Sequence, residues 1–312
     1  MGVEYKPQLA TLVKEPPAGD EWLHEIKFDG YRLGCAIEGE RVRLTSRNGL
    51  DYTSALPEIV ADARALGVTS ALIDGEVVVL LEDGRASFQA LQQAIAGTGP
   101  RASLLYIVFD LLELEGESLV AQPLDARKAR LKALLDDRRP ARFRFSDHVV
   151  GHGPAFFEQA QKLGVEGIMS KRRDSVYLPG RRAGWLKIKC LRRQAFVIGG
   201  YTDQEGMQGG LGALLVGHYE NGRLTFAGRV GSGFTQKITD DLLRRLIPLV
   251  RATSPFDPPP EGPLARSAHF VEPTLVCAAT FSEWTNDDRI RHPVYQGLMP
   301  KADPRRVIRE RT

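Results

Sequence analysis

The chain has 312 residues, 43% hydrophobic and 26% charged, with a formal net charge of +3 at pH 7. These fractions are ordinary for a folded globular protein and exclude collagen-like, coiled-coil and largely disordered chains; the length fits about two domains. No apolar run approaches the roughly 18 residues of a membrane span, and the opening Met1–Lys6 has no apolar signal region, so a cytoplasmic protein with no membrane partner is expected. Cys35, Cys190 and Cys277 lie far apart without a Cys-x-x-Cys pair, which argues against a zinc site or disulfide framework and for a reducing compartment.

In chain order, Trp22–Phe28, Arg32–Ile37 and Arg41–Ser46 read as short strands, the last two joined at Glu38-Gly39-Glu40. Leu56–Leu66 reads as a helix opened by Pro57. Ala71–Leu81 is a β-rich run, Ser87–Ile95 a helix and Leu104–Leu112 an apolar strand. Pro123–Asp137 has helical spacing, with Leu124, Ala129, Leu131 and Leu135 as its apolar set; Pro154–Leu163 is a further short helix. Gly151, Gly153 and Pro154 argue against a helix carrying His148 and His152, which read as loop residues. Strands return at Gly167–Ser170 and Trp185–Cys190. Beyond about Arg193 the strands Ala195–Thr202, Gly212–Tyr219 and Arg223–Val230 are separated by Gly-rich turns. They are followed by a helix at Thr235–Val250, a stretch with five prolines at Ser254–Pro263 and a strand at His269–Thr280. Several short strands with one helix suggest a small β-barrel after a boundary near 190–194.

Charge is unevenly spread. Nine lysines and arginines but one acid, Asp174, lie between Lys171 and Arg193, and basic residues are again frequent from Arg289 to Arg311. Such clusters on a near-neutral chain point to a polyanion-facing surface, with a solvated charged face as the plain alternative.

Lys27-Phe28-Asp29-Gly30 alone is a weak signal, equally a strand-end lysine before an ordinary Asp-Gly turn. It has company. Trp185-Leu186-Lys187-Ile188-Lys189 sends two ammonium groups to one face of a strand. Glu166 to Lys171 places an acid and a lysine around a helix-to-strand junction, and Asp74-Gly75-Glu76 sets an acid in a strand. Tyr106 to Asp110 supplies Phe109 near a strand end, and Ser46-Arg47-Asn48-Gly49 sets an arginine beside a tight turn. A lysine attacks phosphorus only when neutral, and an ordinary lysine is neutral about once in 2,500 molecules at pH 7. Crowding Lys27 with Lys187, Lys189 and Arg32 would favour the neutral amine, and the same cations would stabilise charge on a phosphate.

In this order these segments, beginning at Glu25-Ile26-Lys27-Phe28-Asp29-Gly30-Tyr31-Arg32, resemble the covalent nucleotidyltransferase superfamily of polynucleotide ligases and capping enzymes. Ala195–Tyr201, Gly209–Leu215, Gly228–Phe234 and Arg291–Leu298 narrow the resemblance to ATP-dependent DNA ligases, specifically the ligase module of bacterial ligase D, an enzyme of non-homologous end joining. The resemblance covers nearly the whole chain. It implies an α+β, two-domain nucleotidyltransferase: a mixed/antiparallel-sheet adenylation domain at 1–192 and an OB-fold β-barrel at 193–312. It implies ATP and Mg²⁺ or Mn²⁺ as cofactors. Lys27 would carry AMP, Lys187 and Lys189 would hold the α-phosphate, and Phe109 would stack on adenine beside Glu25 and Ile26. Arg32 and Arg47 would contact ribose and phosphates. Glu76 and Glu166 would serve a divalent metal or the ribose, and Arg181, Arg182, Arg192, Arg193 and Arg229 would bind DNA phosphates. The implied partners are nicked or broken duplex DNA, a Ku end-binding protein and phosphoesterase and polymerase modules. The protein would act as a monomer in the bacterial cytoplasm, at the nucleoid.

One segment departs from the pattern. After Gly297-Leu298 the family carries an Arg-x-Asp-Lys-like motif that orients the pyrophosphate; here Met299-Pro300-Lys301-Ala302-Asp303 stands instead. Self-adenylation would suffer more than sealing of a preformed adenylate. Two other readings remain open: an RNA ligase or mRNA-capping enzyme sharing the lysine chemistry, and a non-catalytic OB-fold nucleic-acid-binding protein.

Overall fold

The structure, a computed structural model, describes residues 5–204, 207–285 and 287–310. The chain divides into two compact units, Met1–Cys190 and Leu191–Thr312.

The first unit runs β1 (Gln8–Leu12), β2 (Trp22–Lys27), β3 (Tyr31–Glu38), β4 (Arg41–Ser46), α1 (Pro57–Ala65), β5 (Ser70–Val79), α2 (Phe88–Ile95) and β6 (Leu104–Leu114). It continues with β7 (Glu117–Ser118), α3 (Leu124–Arg138), β8 (Phe143–Phe145), β9 (His148–Val150), α4 (Gly153–Lys162), β10 (Gly167–Arg172) and β11 (Gly180–Lys189). Two sheets result. One has the order β1-β11-β10-β2-β9, antiparallel except where β1 joins β11. The other has the order β4-β3-β5-β6-β7, with β8 parallel to β6. Both are mixed, as the resemblance implies.

Three apolar clusters organise these layers. The outer face of the second sheet packs on α1, α2 and α3 through Leu33, Ile73, Tyr106, Ile59, Leu91 and Leu131. The first sheet packs on α4 through Ile168, Ile188 and Ala160. Leu72 and Leu112 of one sheet meet Trp185 of the other, with Tyr177, in a smaller cluster between the sheets. Local chemistry sets the ends: Pro57 opens α1, where the missing N–H costs nothing, and the Ser87 hydroxyl caps α2 by accepting from Ala90 N at 3.2 Å.

Several sequence expectations are corrected. His148 lies on β9, and His152 is the N-cap residue of α4. In α3 it is Arg127 and Lys128, not Ala129, that join the leucines on the buried face, because each meets a carboxylate there. The strands β1, β8 and β9 escaped detection; each has five residues or fewer, too short for a clear alternation.

The second unit comprises β12 (Arg192–Gln204), β13 (Met207–Glu220), β14 (Arg223–Val230), α5 (Gln236–Leu246), α6 (Gly262–Ser267), β15 (Ala268–Phe281), β16 (Glu283–Trp284), β17 (Ile290–Arg291) and β18 (Val294–Leu298). Its main sheet is antiparallel, in the order β14-β13-β12-β15-β18. Phe196, Val216, Val271 and Phe281 form its core with Leu242 and Leu246 of α5. The helix expected at Thr235–Val250 stops at Leu246 and tightens into a 3₁₀ turn at Ile247–Leu249, since Pro248 has no N–H to continue the ladder. No helix among the described residues is long and apolar enough to cross a membrane.

Candidate active site

Register across the first sheet assembles the site. Lys27 pairs with Gly167, which pairs with Lys189; Glu25 pairs with Met169, which pairs with Lys187; Leu23 pairs with Lys171, which pairs with Trp185. Residues directly opposite one another share a face. Three rows therefore bring the Lys27 and Trp185–Lys189 segments together on one surface, although more than 150 positions separate them. Two glycines permit the close approach: a Cβ on Gly30 would lie 2.2 Å from Val77 O, and one on Gly167 would lie 2.2 Å from Ile188 O.

The second sheet supplies the opposing wall. Glu76 on β5 pairs with Arg32 and Ile107. Phe109 has no partner on β5, because the register jumps from Asp74–Asp110 to Gly75–Val108. It is the extra residue of a β-bulge, a device that re-aims a side chain.

Between the walls lies a cleft of about 220 Å³. Its lining includes eight of the residues predicted for catalysis and nucleotide binding, namely Glu25, Ile26, Lys27, Arg32, Arg47, Glu76, Phe109 and Lys187. Arg181, predicted to face DNA, also lines it, with its guanidinium donating to Ala10 O at 2.5 Å. Glu166 and Lys189 stand beside the cleft: Glu166 Oε2 accepts from Lys27 Nζ at 2.5 Å, and Lys189 acts electrostatically on Glu166. Lys27 thus meets a carboxylate as well as the predicted cations. Arg32 is turned away from that cluster, donating to both Asp74 oxygens at 3.0 and 2.6 Å and to Gln8 O at 2.6 Å. Tyr5 and Tyr177 hydroxyls donate to the same buried carboxylate at 2.9 and 2.7 Å. Arg182 and Arg193 are exposed, and Arg192 is half-buried. Arg229 lies in the second unit, exposed in a groove with Arg266 and the start of α5.

The electrostatics divide the cleft. At one end, burial pushes the Glu76 carboxyl up to about 7 against the pull of Lys27 and Arg32, and burial raises that of Glu166. Burial and the neighbouring Lys27, Lys189 and Arg181 lower the pKa of Lys187. At the other end Glu25 is bridged by Lys128 at 2.6 Å and Lys171 at 2.7 Å, all three at most 2% exposed. Burial alone would raise the Glu25 carboxyl, but the two ammonium groups outweigh it and hold it below the usual range. Phe109, Trp185 and Met169 form the apolar surface beside this bridge. Sequence reasoning missed Met169 and Trp185 as wall residues; their positions within the recognised segments, two residues before a singled-out lysine, were the available signal.

Comparison with known proteins agrees with this architecture. A family model described as "ATP dependent DNA ligase domain" matches residues 5–189, and one described as "ATP dependent DNA ligase C terminal region" matches 207–301. The chain is 42% identical over 308 residues to the multifunctional non-homologous end joining protein LigD of Pseudomonas aeruginosa, covering 98% of this chain and 36% of that protein. It thus spans just over a third of the length of that curated relative. Among solved structures, the ligase domain of Mycobacterium tuberculosis LigD is 36% identical with a TM-score of 0.57, covering 98% of each chain. A mycobacterial DNA ligase D complexed with ATP and MES matches with the same identity, coverage and TM-score. The fold is therefore the mixed α+β fold of these ligase domains, with a C-terminal unit of the OB type.

Proposed function

The chain belongs to the ATP-dependent DNA ligase family, and we propose that it seals 3′-hydroxyl/5′-phosphate breaks in duplex DNA through a lysyl-AMP intermediate on Lys27. The convergence of Lys27, Glu166, Glu76, Lys187 and Lys189 beside a cleft with an aromatic far end carries this reading. The first unit would be the adenylating domain and the second the OB domain.

In the first step the Lys27 amine attacks the α-phosphorus of ATP. A P–N bond forms as the bond to the pyrophosphate oxygen breaks. The proton leaving Nζ passes to Glu166 Oε2, already at 2.5 Å and raised by burial toward a better base. A DNA 5′-phosphate oxygen then attacks the same phosphorus and Lys27 departs, recovering its proton. Finally the 3′-hydroxyl attacks the 5′-phosphorus and AMP leaves. Lys187 and Lys189 stabilise the charge that gathers on the α-phosphate. Glu25, Ile26 and Phe109 would hold adenine, and Arg47 and the Asp74-anchored Arg32 would hold ribose and phosphates.

Among the described residues no group of three His, Cys, Asp or Glu could hold a metal by itself. Glu76 and Glu166, which both interact electrostatically with Lys27 and with each other, nevertheless fit Mg²⁺ or Mn²⁺, hard cations that take one or two carboxylates and complete their shell with phosphate oxygens and water. Bound there, the ion would neutralise triphosphate charge.

Arg181, Arg182, Arg192, Arg193 and Arg229 would contact DNA phosphates, making affinity salt-dependent without reading sequence. The name of the Pseudomonas relative supports a role in non-homologous end joining. That role would be exercised as a monomer at the nucleoid in the bacterial cytoplasm, with a Ku end-binding protein and phosphoesterase and polymerase modules. Buried, unpaired Cys35, Cys190 and Cys277 suit a reducing compartment.

Incubation with α-labelled ATP and Mg²⁺ or Mn²⁺ tests the reading. The wild type is expected to acquire covalent label and Lys27→Ala none; label from GTP alone would point to capping, and no label at all would overturn the proposal. The departed C-terminal segment adds a second expectation. Ala302 packs on the apolar cluster of Val307 and Phe256, and Asp303 Oδ1 accepts from Arg305 N at 3.0 Å, so both are used locally. Single-turnover sealing of pre-adenylated nicked DNA should outpace labelling of Lys27, and equal rates would remove this distinction.

A further inference from the structure

Lys171, left without a role by the sequence, has a distinctive setting. Its side chain is 1% exposed, yet it lies in the cleft wall. The ammonium donates to Glu25 Oε2 at 2.7 Å and stands 4.2 Å from the centroids of both the Phe109 and Trp185 rings. The rings meet edge to face, 6.0 Å apart at 79°. The indole Nε1 of Trp185 is buried with no hydrogen-bond partner among the described residues, so no hydrogen bond from its ring orients this side chain. Two cations reach both rings, Lys171 and Arg32 at 5.2 and 5.4 Å, while the Tyr177 ring meets Trp185 alone, edge to face at 5.9 Å. Each is anchored by a buried carboxylate, Glu25 for one and Asp74 for the other.

We propose that Lys171 is a positioning residue for the nucleotide: held by Glu25, its ammonium fixes the Phe109 and Trp185 rings as a preformed platform for the base of ATP. This rests on the ligase reading and assigns a residue to its base-binding end. A desolvated cation over an aromatic face is attracted by the ring quadrupole, and a platform fixed in advance spares the ligand the cost of ordering it.

The arrangement also gives base binding a pH limit. Burial brings Lys171 down to about 8 although Glu25 opposes it. The charged groups around it are Glu25 on β2, Lys128 on α3, Asp110 on β6 paired with Arg127, and Arg32 on β3 paired with Asp74. His148 on β9 is lowered by burial and is neutral in the alkaline range, and Lys187 on β11 is the other lowered lysine of the cleft. Deprotonation of Lys171 leaves Glu25 to Lys128 and takes one cation off the rings.

Equilibrium binding of α,β-methylene-ATP, which cannot release pyrophosphate, tests this between pH 7 and 9.5. Wild-type affinity is expected to fall as pH passes about 8. Lys171→Met should bind about tenfold more weakly at pH 7 and show no further fall. Lys187→Met should retain the fall. Lys171→Met binding like wild type at pH 7, a flat wild-type profile, or a fall abolished in Lys187→Met would each overturn the proposal. If Lys171→Met does not fold, wild type and Lys187→Met decide it. Failure of the ligase reading looks different: analogue binding as described, with no AMP on Lys27 when ATP is supplied.

Discussion

Two lysine–glutamate contacts, centred on Lys27 and Glu25 of β2, behave as opposites. Lys27 and Glu166 meet at 2.5 Å with each side chain 21% exposed. Lys128, Glu25 and Lys171 meet at 2.6 and 2.7 Å with at most 2% exposure. The same residue types lie two positions apart on β2. Burial separates their work: the open pair can exchange partners when a phosphate arrives, whereas removing the carboxylate from the closed bridge leaves two buried ammonium groups unpaired. Reactivity and rigidity are thus set side by side by depth rather than by residue type.

The strongest way to break this comparison is to remove a cation at the open end. Lys187→Ala is expected to slow labelling of Lys27 by about 10²–10³-fold with little change in melting temperature; a large loss of stability would make the open end structural as well. At the closed end the reverse is expected. Glu25→Gln leaves two buried ammonium groups facing an amide and should cost about 3–5 kcal/mol in denaturant unfolding, and an unfolding midpoint like that of wild type would erase the contrast. The smallest effect lies at Glu76. Its carboxyl titrates near 7 in the folded chain against an ordinary 4.5, so the folded state loses stability as pH rises through that interval. Glu76→Gln should therefore be more stable than wild type by about 1–3 kcal/mol at pH 8, with the gap closed by about pH 4. Thermal melts at the two pH values read this directly.

Part of this site is legible in the sequence because it is local. The period of two in Trp185–Lys189 does place both lysines on one face, and the turn glycine after Asp29 is sterically required. What stays hidden is non-local. Nothing in the text of β2, β10 and β11 announces the rows that set Glu25, Met169 and Lys187 abreast. Arg127 and Lys128 fall outside the apolar set read for their helix, and only the tertiary pairing with Asp110 and Glu25 shows them to be interior. Likewise the ring of Phe109 is visible as a residue type, but the missing partner on β5 is not.

That missing partner fixes the length of the strand. Phe109 and Asp110 together oppose Asp74, so two consecutive side chains serve the same side of the sheet, one in the cleft wall and one held by Arg127. Deleting one of them would remove this bulge and turn over the side chains that follow as far as the next register shift, where Leu112 lacks a partner, sending Leu111 out of the core. A substitution at this point alters one contact, whereas a change in chain length exchanges the faces of the neighbouring core and cleft residues. Point replacements, not insertions or deletions, are the route by which descendants of this sequence can retune the wall.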